Sequence, residues 1–162
     1  MNDRANMHTL TITGDTDSSG RFIVLFNGQI VQLPQYRFLA LLVLINARLC
    51  TLSGRAELID FERDDVVYGK TALHKVVQRL RDELNSRLGA GSGDQLVLHN
   101  GRSRYSIAVD RSAICVAPAF RELKREIPQP IFHNLEALIV ESDASICFAE
   151  RASSCGTKVS KL

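Results

Sequence analysis

Hydrogen-bonding and basic side chains recur on one side of the stretch between Tyr68 and Leu88. They follow one another at intervals of three or four residues, which aligns side chains along one face of a helix. Amide and ammonium groups in this arrangement can hydrogen-bond to base edges, and guanidinium groups on the flanks can neutralise phosphates. The residues with this chemistry are Thr71, His74, Lys75, Gln78, Arg79 and Arg81.

The alternative is a helix whose polar face is simply in contact with water. Arg79 would then be structural and pair with Glu57 or Glu83, and His74 would be a polar surface residue. Asp82 on the same face would repel phosphate, which favours this alternative.

A second basic group surrounds the dipeptide Asn100-Gly101, which is a strong turn signal between two strands. His99, Arg102 and Arg104 lie at the tip of the predicted hairpin. Arginines at such a tip can enter a minor groove or neutralise phosphate. The alternative is that they are solubilising turn charges.

No pattern of a catalytic or metal site is present in the sequence. It contains no glycine-rich phosphate loop, no HExxH and no GxSxG. The histidines (His8, His74, His99 and His133) lack metal-ligand spacing with the cysteines. The acidic pairs Asp64-Asp65 and Asp82-Glu83 are sequence neighbours, to which acid and base roles cannot be assigned. We therefore predict a protein that is not an enzyme and that uses neither a cofactor nor a metal ion.

A long helix must present the first basic group. Apolar residues at Leu73, Val76 or Val77, Leu80, Leu84 and Leu88 form one stripe, which predicts a helix over Lys70 to Leu88. Glycine at position 89 would end it, and Gly89 to Gly93 would be a flexible connector.

The amino-terminal half predicts strands followed by a buried helix. A strand from His8 to Thr13 precedes a polar loop that ends at Gly20. Arg21 to Leu33 is a hairpin that turns at Asn27-Gly28. Pro34 opens a helix from Gln35 to Ala47, which is apolar on most of its faces.

The remaining elements follow from shorter signals. Thr51 or Ser53 caps a second helix that ends near Phe61, with Ala56, Ile59 and Phe61 on its inner side. Later elements are a strand from Asp94 to His99, a returning strand from Arg102 to Val109 and short helices at Pro118 to Glu126 and Ile131 to Glu141. A brief apolar patch follows at Ile146 to Ala149.

Composition is that of a globular protein. The chain has 162 residues, of which 45% are hydrophobic and 23% charged, with a net charge of +2. We divide it into a strand and flexible segment (1–20), a central domain (21–110) and a partly helical or disordered extension (111–162). The longest apolar run, Phe38 to Ile45, is too short for a membrane span, and no secretory signal is visible. We therefore expect a soluble cytoplasmic protein.

The four cysteines form no CxxC pair. Cys50 lies in an apolar context and is predicted to be a buried small side chain. We expect Cys115, Cys147 and Cys155 to be reduced as well, with a bridge between Cys147 and Cys155 as the alternative.

Charge is unevenly distributed along the chain. The segment from Tyr68 to Leu88 contains five basic and two acidic residues, whereas Arg55 to Val67 contains two basic and five acidic residues. An acidic stretch therefore precedes the basic helix directly.

Four segments together resemble a known family. Phe22 to Leu33 is similar to its entry hairpin, and Tyr36 to Leu49 to its first helix. Gln78-Arg79-Leu80-Arg81-Asp82-Glu83-Leu84 resembles the Arg-Leu-Arg-x-x-Leu signature of its recognition helix. Arg104-Tyr105-Ser106-Ile107 stands where the family ends its wing with Gly-Tyr. The family is the winged-helix effector domain of OmpR and PhoB-type bacterial response regulators.

This resemblance implies an α+β winged helix-turn-helix with amino-terminal antiparallel strands, three helices and a carboxy-terminal hairpin wing. The implied function is sequence-specific binding of double-stranded DNA as a bacterial transcription regulator, without a receiver domain. RNA polymerase, another regulator or a second copy of the chain are the implied partners. The chain departs from the pattern at Arg104, where the family has glycine, and at Phe61, where it has tryptophan.

The same fold is also compatible with a different function. Winged helices also serve as protein-interaction modules, and a fold does not determine a function. The mild net charge, the acidic stretch and Asp82 favour this alternative.

Overall fold

The computed structural model describes residues 8–139, which form a mixed α+β fold with two sheets. The strands are β1 (Leu10–Thr16), β2 (Phe22–Phe26), β3 (Gln29–Leu33), β4 (Arg55–Glu57), β5 (Val97–His99), β6 (Arg104–Ile107) and β7 (Ile114–Val116). The helices are α1 (Gln35–Cys50), α2 (Leu58–Arg63), α3 (Lys70–Leu88), α4 (Ser92–Leu96) and α5 (129–139), with 3-10 turns at Arg111–Ala113 and Pro118–Leu123.

The larger sheet has the strand order β3-β2-β1-β7. β2 pairs antiparallel with both β1 and β3, and β7 pairs with β1 in parallel. Asn27 and Gly28 have φ angles of 52° and 83°, the positive values that a tight two-residue turn requires. The predicted hairpin is thereby confirmed.

Strand β1 begins at Leu10 and continues through Gly14 to Thr16, beyond the predicted end at Thr13. Its register with β2 shifts between Ile12 and Thr16. Gly14 has a φ of 84°, and a Cβ atom there would lie 2.2 Å from the backbone nitrogen of Phe120. A glycine is therefore needed where β1 passes the 3-10 turn at Pro118–Leu123.

Helix α1 lies at the centre of the core. Pro34 precedes its first residue, and the helix runs three residues past the predicted end at Ala47. Phe38, Leu39, Ala40, Leu41, Leu42, Val43, Leu44, Ile45 and Ala47 are buried. The Phe38 ring stacks on Phe22 of β2 with ring centroids 4.3 Å apart. The predicted buried helix is confirmed.

The predicted second helix is wrong in its first half. Arg55–Glu57 is a strand, because Ala56 pairs with Tyr105 of β6 in the smaller sheet, which has the order β4-β6-β5. The Thr51 hydroxyl does not cap this helix but donates to the Ala47 carbonyl at 2.7 Å, at the end of α1. The capping box belongs to Glu57 and Asp60 instead.

Two burial predictions in this region are also wrong. Ile59 is 65% exposed, because α2 is only six residues long and buries Phe61 alone. Cys50 is exposed as well, because it lies in the last turn of α1, where its thiol is 3.5 Å from the Asn46 side-chain oxygen.

Helix α3 has the predicted bounds. The segment after it differs from the predicted flexible connector and strand. Asp94 and Gln95 belong to α4 rather than to a strand, and β5 begins only at Val97. The Gly93 amide donates to the Asn85 side-chain oxygen at 2.6 Å, which holds α4 against α3. The returning strand is shorter than predicted and covers Arg104–Ile107.

Residues 111–139 pack against the same core. Phe120 stacks on Phe132 of α5 with ring centroids 5.2 Å apart, and the Asn134 amide donates to the Asn46 side-chain oxygen at 2.8 Å. The helix predicted at Pro118 is a 3-10 turn, and α5 begins before the predicted Ile131. The apolar patch at Ile146 and the pair Cys147 and Cys155 lie outside the described residues. No helix within residues 8–139 has both the length and the hydropathy that crossing a membrane requires.

We expect Gly14→Ala to destabilise the fold by about 2 kcal/mol more than Gly20→Ala. Both glycines have similar positive φ angles (84° and 87°), but no atom lies within 4 Å of a Cβ built on Gly20. The comparison isolates the clash with Phe120 from the backbone strain that both variants share. Equal midpoints in urea unfolding would show that the contact between β1 and Phe120 is loose.

Candidate functional site

Helix α3 presents a polar face to solvent along its whole length. Leu73, Val77, Leu80 and Leu84 are buried, as the apolar stripe predicts. The four site candidates Thr71, Lys75, Gln78 and Arg79 are exposed, and His74 is half-buried. Gln78 donates to Asp82 at 3.0 Å, so this acid partly occupies the amide that could hydrogen-bond to a base.

The β5–β6 hairpin carries the second basic group. Its loop covers residues 100–103 and is closed by hydrogen bonds from the Asn100 amide to the Arg104 carbonyl and from the Arg104 amide to the Gly101 carbonyl. Arg102 has a φ of 50°, which places it at the turn of the loop, and its side chain is exposed. Arg104 is also exposed and lies 3.7 Å from the Glu57 carboxylate.

A cluster of three rings joins α3 to the hairpin. The His74 Nδ1 atom shares a hydrogen bond with the Tyr105 hydroxyl. The His99 ring stacks on Tyr105 with centroids 4.7 Å apart, and its Nε2 donates to the Arg102 carbonyl at 2.7 Å. Burial raises the pKa of Tyr105, so its hydroxyl keeps its proton at neutral pH. His74 and the hairpin loop are therefore positioned by the same side chain.

Arg81 is held inside the fold. Its Nε and Nη2 atoms donate to the Val97 carbonyl at 3.0 and 2.8 Å, and its guanidinium lies 5.9 Å from the centre of the Tyr105 ring. Asp94 lies 3.7 Å away. Sequence reasoning placed Arg81 at a flank for phosphate contacts, whereas its guanidinium holds β5 against α3.

Neither pairing suggested for Arg79 is formed. Glu83 pairs with Arg37 at 3.0 Å and with Arg87 at 3.5 Å, and Glu57 pairs with Arg104. The exposed guanidinium of Arg79 therefore stays available to an external group.

The start of α3 and the hairpin tip border one groove. Its volume is about 380 Å³, and its basic residues are Lys70, Arg102 and Arg104. Glu57, Leu58, Ile59, Glu62 and Ser103 form the rest of its lining. Sequence reasoning missed Lys70, because the position of this residue beside the hairpin depends on the packing of α3 against β6. The groove brings together two basic elements that are about thirty residues apart in sequence.

A second groove lies on the other side of α3. Its volume is about 350 Å³, and Val66, Val67, Ala72 and Val76 contribute its apolar lining. Tyr36 and Tyr68, which are 59% and 71% exposed, flank it together with Lys75 and Arg79. Exposed aromatic side chains beside an apolar groove are typical of a surface that contacts another protein.

Within residues 8–139, no three His, Cys, Asp or Glu side chains come together in a way that could hold a metal ion. The groove instead combines the cations Lys70, Arg102 and Arg104 with the carboxylates of Glu57 and Glu62, and α3 adds exposed hydrogen-bonding groups beside it. Such a set can bind an anion or read hydrogen-bonding groups on a partner.

We expect Arg81→Ala to cost about 1–3 kcal/mol of stability, because it leaves the Val97 carbonyl without its charged donor. Arg79→Ala, two residues away on the exposed face, should change stability by less than about 0.5 kcal/mol. Urea unfolding of both variants tests this assignment. Equal stability of the two would mean that Arg81 does not hold β5.

No protein-family model, no curated protein and no solved structure matches the chain. The proposal for its function therefore depends on the site and on the order of its elements.

Proposed function

We propose that the chain is a winged-helix protein that binds double-stranded DNA and acts as a bacterial transcription regulator. The observation that carries this proposal is the shared groove, where Lys70 at the start of α3 faces Arg102 and Arg104 at the hairpin tip. In this proposal α3 enters the major groove, and the hairpin lies on the adjacent minor groove or on phosphates.

The exposed face of α3 has the chemistry that this role needs. The major groove accommodates an α-helix, and its base edges present distinct sets of donors and acceptors. Thr71, Lys75 and Gln78 are exposed on the face that would meet those edges. They supply a hydroxyl, an ammonium and an amide, which can distinguish bases rather than only attract phosphates.

The hairpin carries Arg102 on a loop whose conformation is fixed by contacts of neighbouring side chains. The His99–Arg102 hydrogen bond and the stacking of His99 on Tyr105 fix the loop from which Arg102 projects. A preorganised loop loses less conformational entropy when the arginine that it carries contacts a phosphate. The hairpin therefore suits contacts that orient the protein on DNA.

The order of the elements agrees with the resemblance to OmpR and PhoB-type effector domains. An amino-terminal hairpin, the helices α1, α2 and α3 and a second hairpin follow one another along the chain, with the short helix α4 inserted before the second hairpin. Strand β4, between the first two helices, completes the sheet of the second hairpin. By this resemblance, two copies on repeated half-sites and a contact with RNA polymerase or another regulator belong to the proposal.

The test measures binding to a mixed pool of duplex DNA by fluorescence anisotropy at two salt concentrations. We expect salt-sensitive binding that Lys75→Ala/Arg102→Ala/Arg104→Ala weakens about 100-fold or more at low salt. The slope of log K against log salt should fall by about one for each lost phosphate contact.

A matched variant controls for the loss of net charge. Arg111→Ala/Lys124→Ala/Arg125→Ala also removes three exposed cations, but from the region after the hairpin. It should bind nearly as well as the wild type. Equal losses in the two variants would indicate unspecific attraction, and no binding by the wild type at low salt would refute the proposal.

The second candidate is an interaction module that binds another protein. Its specific support is the apolar groove between Tyr36 and Tyr68. Tyr36→Ala/Tyr68→Ala separates the two functions, because it removes the exposed aromatics and leaves Lys70, Arg102 and Arg104 in place. If the chain binds only protein, the wild type will not bind DNA. If the chain binds DNA as proposed, Tyr36→Ala/Tyr68→Ala will bind DNA with the affinity of the wild type.

A further inference from the structure

Two histidines lie in the contact between α3 and the hairpin. His74 comes from α3 and His99 from β5, and their ring centroids are 5.9 Å apart; His74 hydrogen-bonds to the Tyr105 hydroxyl, and His99 stacks on the Tyr105 ring. Histidine is the side chain whose charge ordinarily changes between pH 5 and 8. His74 is half-buried and His99 is exposed, so solvent protons can reach the cluster.

We infer that DNA binding at this site takes up protons on His74 and His99, so that affinity rises as the pH falls. This inference rests on the proposed function. Without these two histidines, the amphipathic face of α3 and the basic hairpin would not take up protons on binding DNA.

The hydrogen bonds of the cluster allow either charge state. When His74 is neutral, its Nδ1 accepts from the Tyr105 hydroxyl; when His74 is protonated, Nδ1 donates to the Tyr105 oxygen. His99 already donates from Nε2 to the Arg102 carbonyl, which leaves Nδ1 to gain the second proton. Protonation therefore adds charge without breaking the contacts that join α3 to the hairpin.

The charged groups around the cluster determine whether protonation of its histidines is favourable. The cations around it are Lys70 and Arg81 of α3 together with Arg102 and Arg104 of the hairpin, whereas Lys75 lines the groove on the other side of α3. The acids on the packed elements are Glu57 of β4, Glu62 of α2, Asp82 of α3 and Asp94 of α4. Glu57 and Asp94 are in ion pairs, and Glu62 and Asp82 accept hydrogen bonds from Gly69 and Gln78.

Arg104 and Arg81 are the partners of Glu57 and Asp94 in these ion pairs, so the two pairs add little net charge beside the cluster. A phosphate backbone beside Arg102 and Lys70 makes an added imidazolium more favourable, because it brings negative charge to the same surface. Binding and protonation then favour each other, and by linkage each strengthens the other equally. The sign is fixed: the bound state holds more protons, so raising the pH weakens binding.

The experiment uses the full chain and one duplex of defined sequence recovered from the bound fraction of the mixed pool. We expect Kd to be about tenfold weaker at pH 8 than at pH 6, at constant ionic strength. Calorimetry in two buffers that differ in ionisation enthalpy counts the protons taken up, and it needs no variant. We expect net uptake near pH 7.

Variants assign the protons. His74→Gln/His99→Gln should bind with a Kd that changes less than about twofold between pH 6 and pH 8. His133→Gln is the matched control, because it removes an exposed histidine on α5 and should keep the tenfold change. If the double variant does not fold, which circular dichroism will show, His99→Gln alone removes the exposed histidine of the pair and should reduce the proton count.

The outcomes separate this inference from the function on which it rests. DNA binding with no proton uptake, or with a pH dependence that survives in the double variant, overturns the inference and leaves the proposed function intact. Absence of DNA binding at every pH overturns both.

Discussion

The burial of α1 is the constraint on which the other elements depend. Nine of its residues between Phe38 and Ala47 are buried, so the helix must be covered on almost every side. The larger sheet covers one side through the stacking of Phe22 on Phe38, and Arg37 pairs with Glu83 of α3 on another. At its carboxy-terminal end, Arg48 donates to the Ile107 carbonyl of β6 at 2.8 Å. Both sheets and α3 are thus positioned by contacts to one helix.

The site is a consequence of this arrangement. Because α3 and β6 are both packed against α1, the β5–β6 hairpin lies close enough to α3 for two side chains of α3 to reach it, one on each strand. Arg81 holds the carbonyl of Val97, and His74 holds the hydroxyl of Tyr105. The polar face of α3 and the hairpin tip therefore form one surface with a fixed geometry. A rigid surface of this kind is what a duplex, with its regular spacing of phosphates, would require.

Short-range sequence patterns predict the elements whose formation depends mainly on residues close together in the chain. The Asn27-Gly28 turn, the buried helix after Pro34 and the bounds of α3 all follow from short-range patterns. Strand β4 does not, because Ala56 becomes part of a strand only through pairing with Tyr105, which lies 49 residues further along the chain. The exposed face of α3 could be placed from its periodicity, whereas the internal role of Arg81 could not, because its acceptor is a backbone carbonyl on another element. The place of Lys70 beside the hairpin could not be predicted either, because it depends on how α3 packs in the folded chain.

Residue-resolved mapping of the proposed DNA-binding surface is the most direct test. Amide chemical shifts of the 15N-labelled chain would be followed by nuclear magnetic resonance during titration with duplex DNA. The account predicts that the largest changes fall on residues 70–82 of α3 and on residues 99–104 of the hairpin, while α5 is unaffected. Changes centred on Tyr36 and residues 65–68 with none in the hairpin, or changes centred on the outer strands of the larger sheet, would contradict the assignment of this surface.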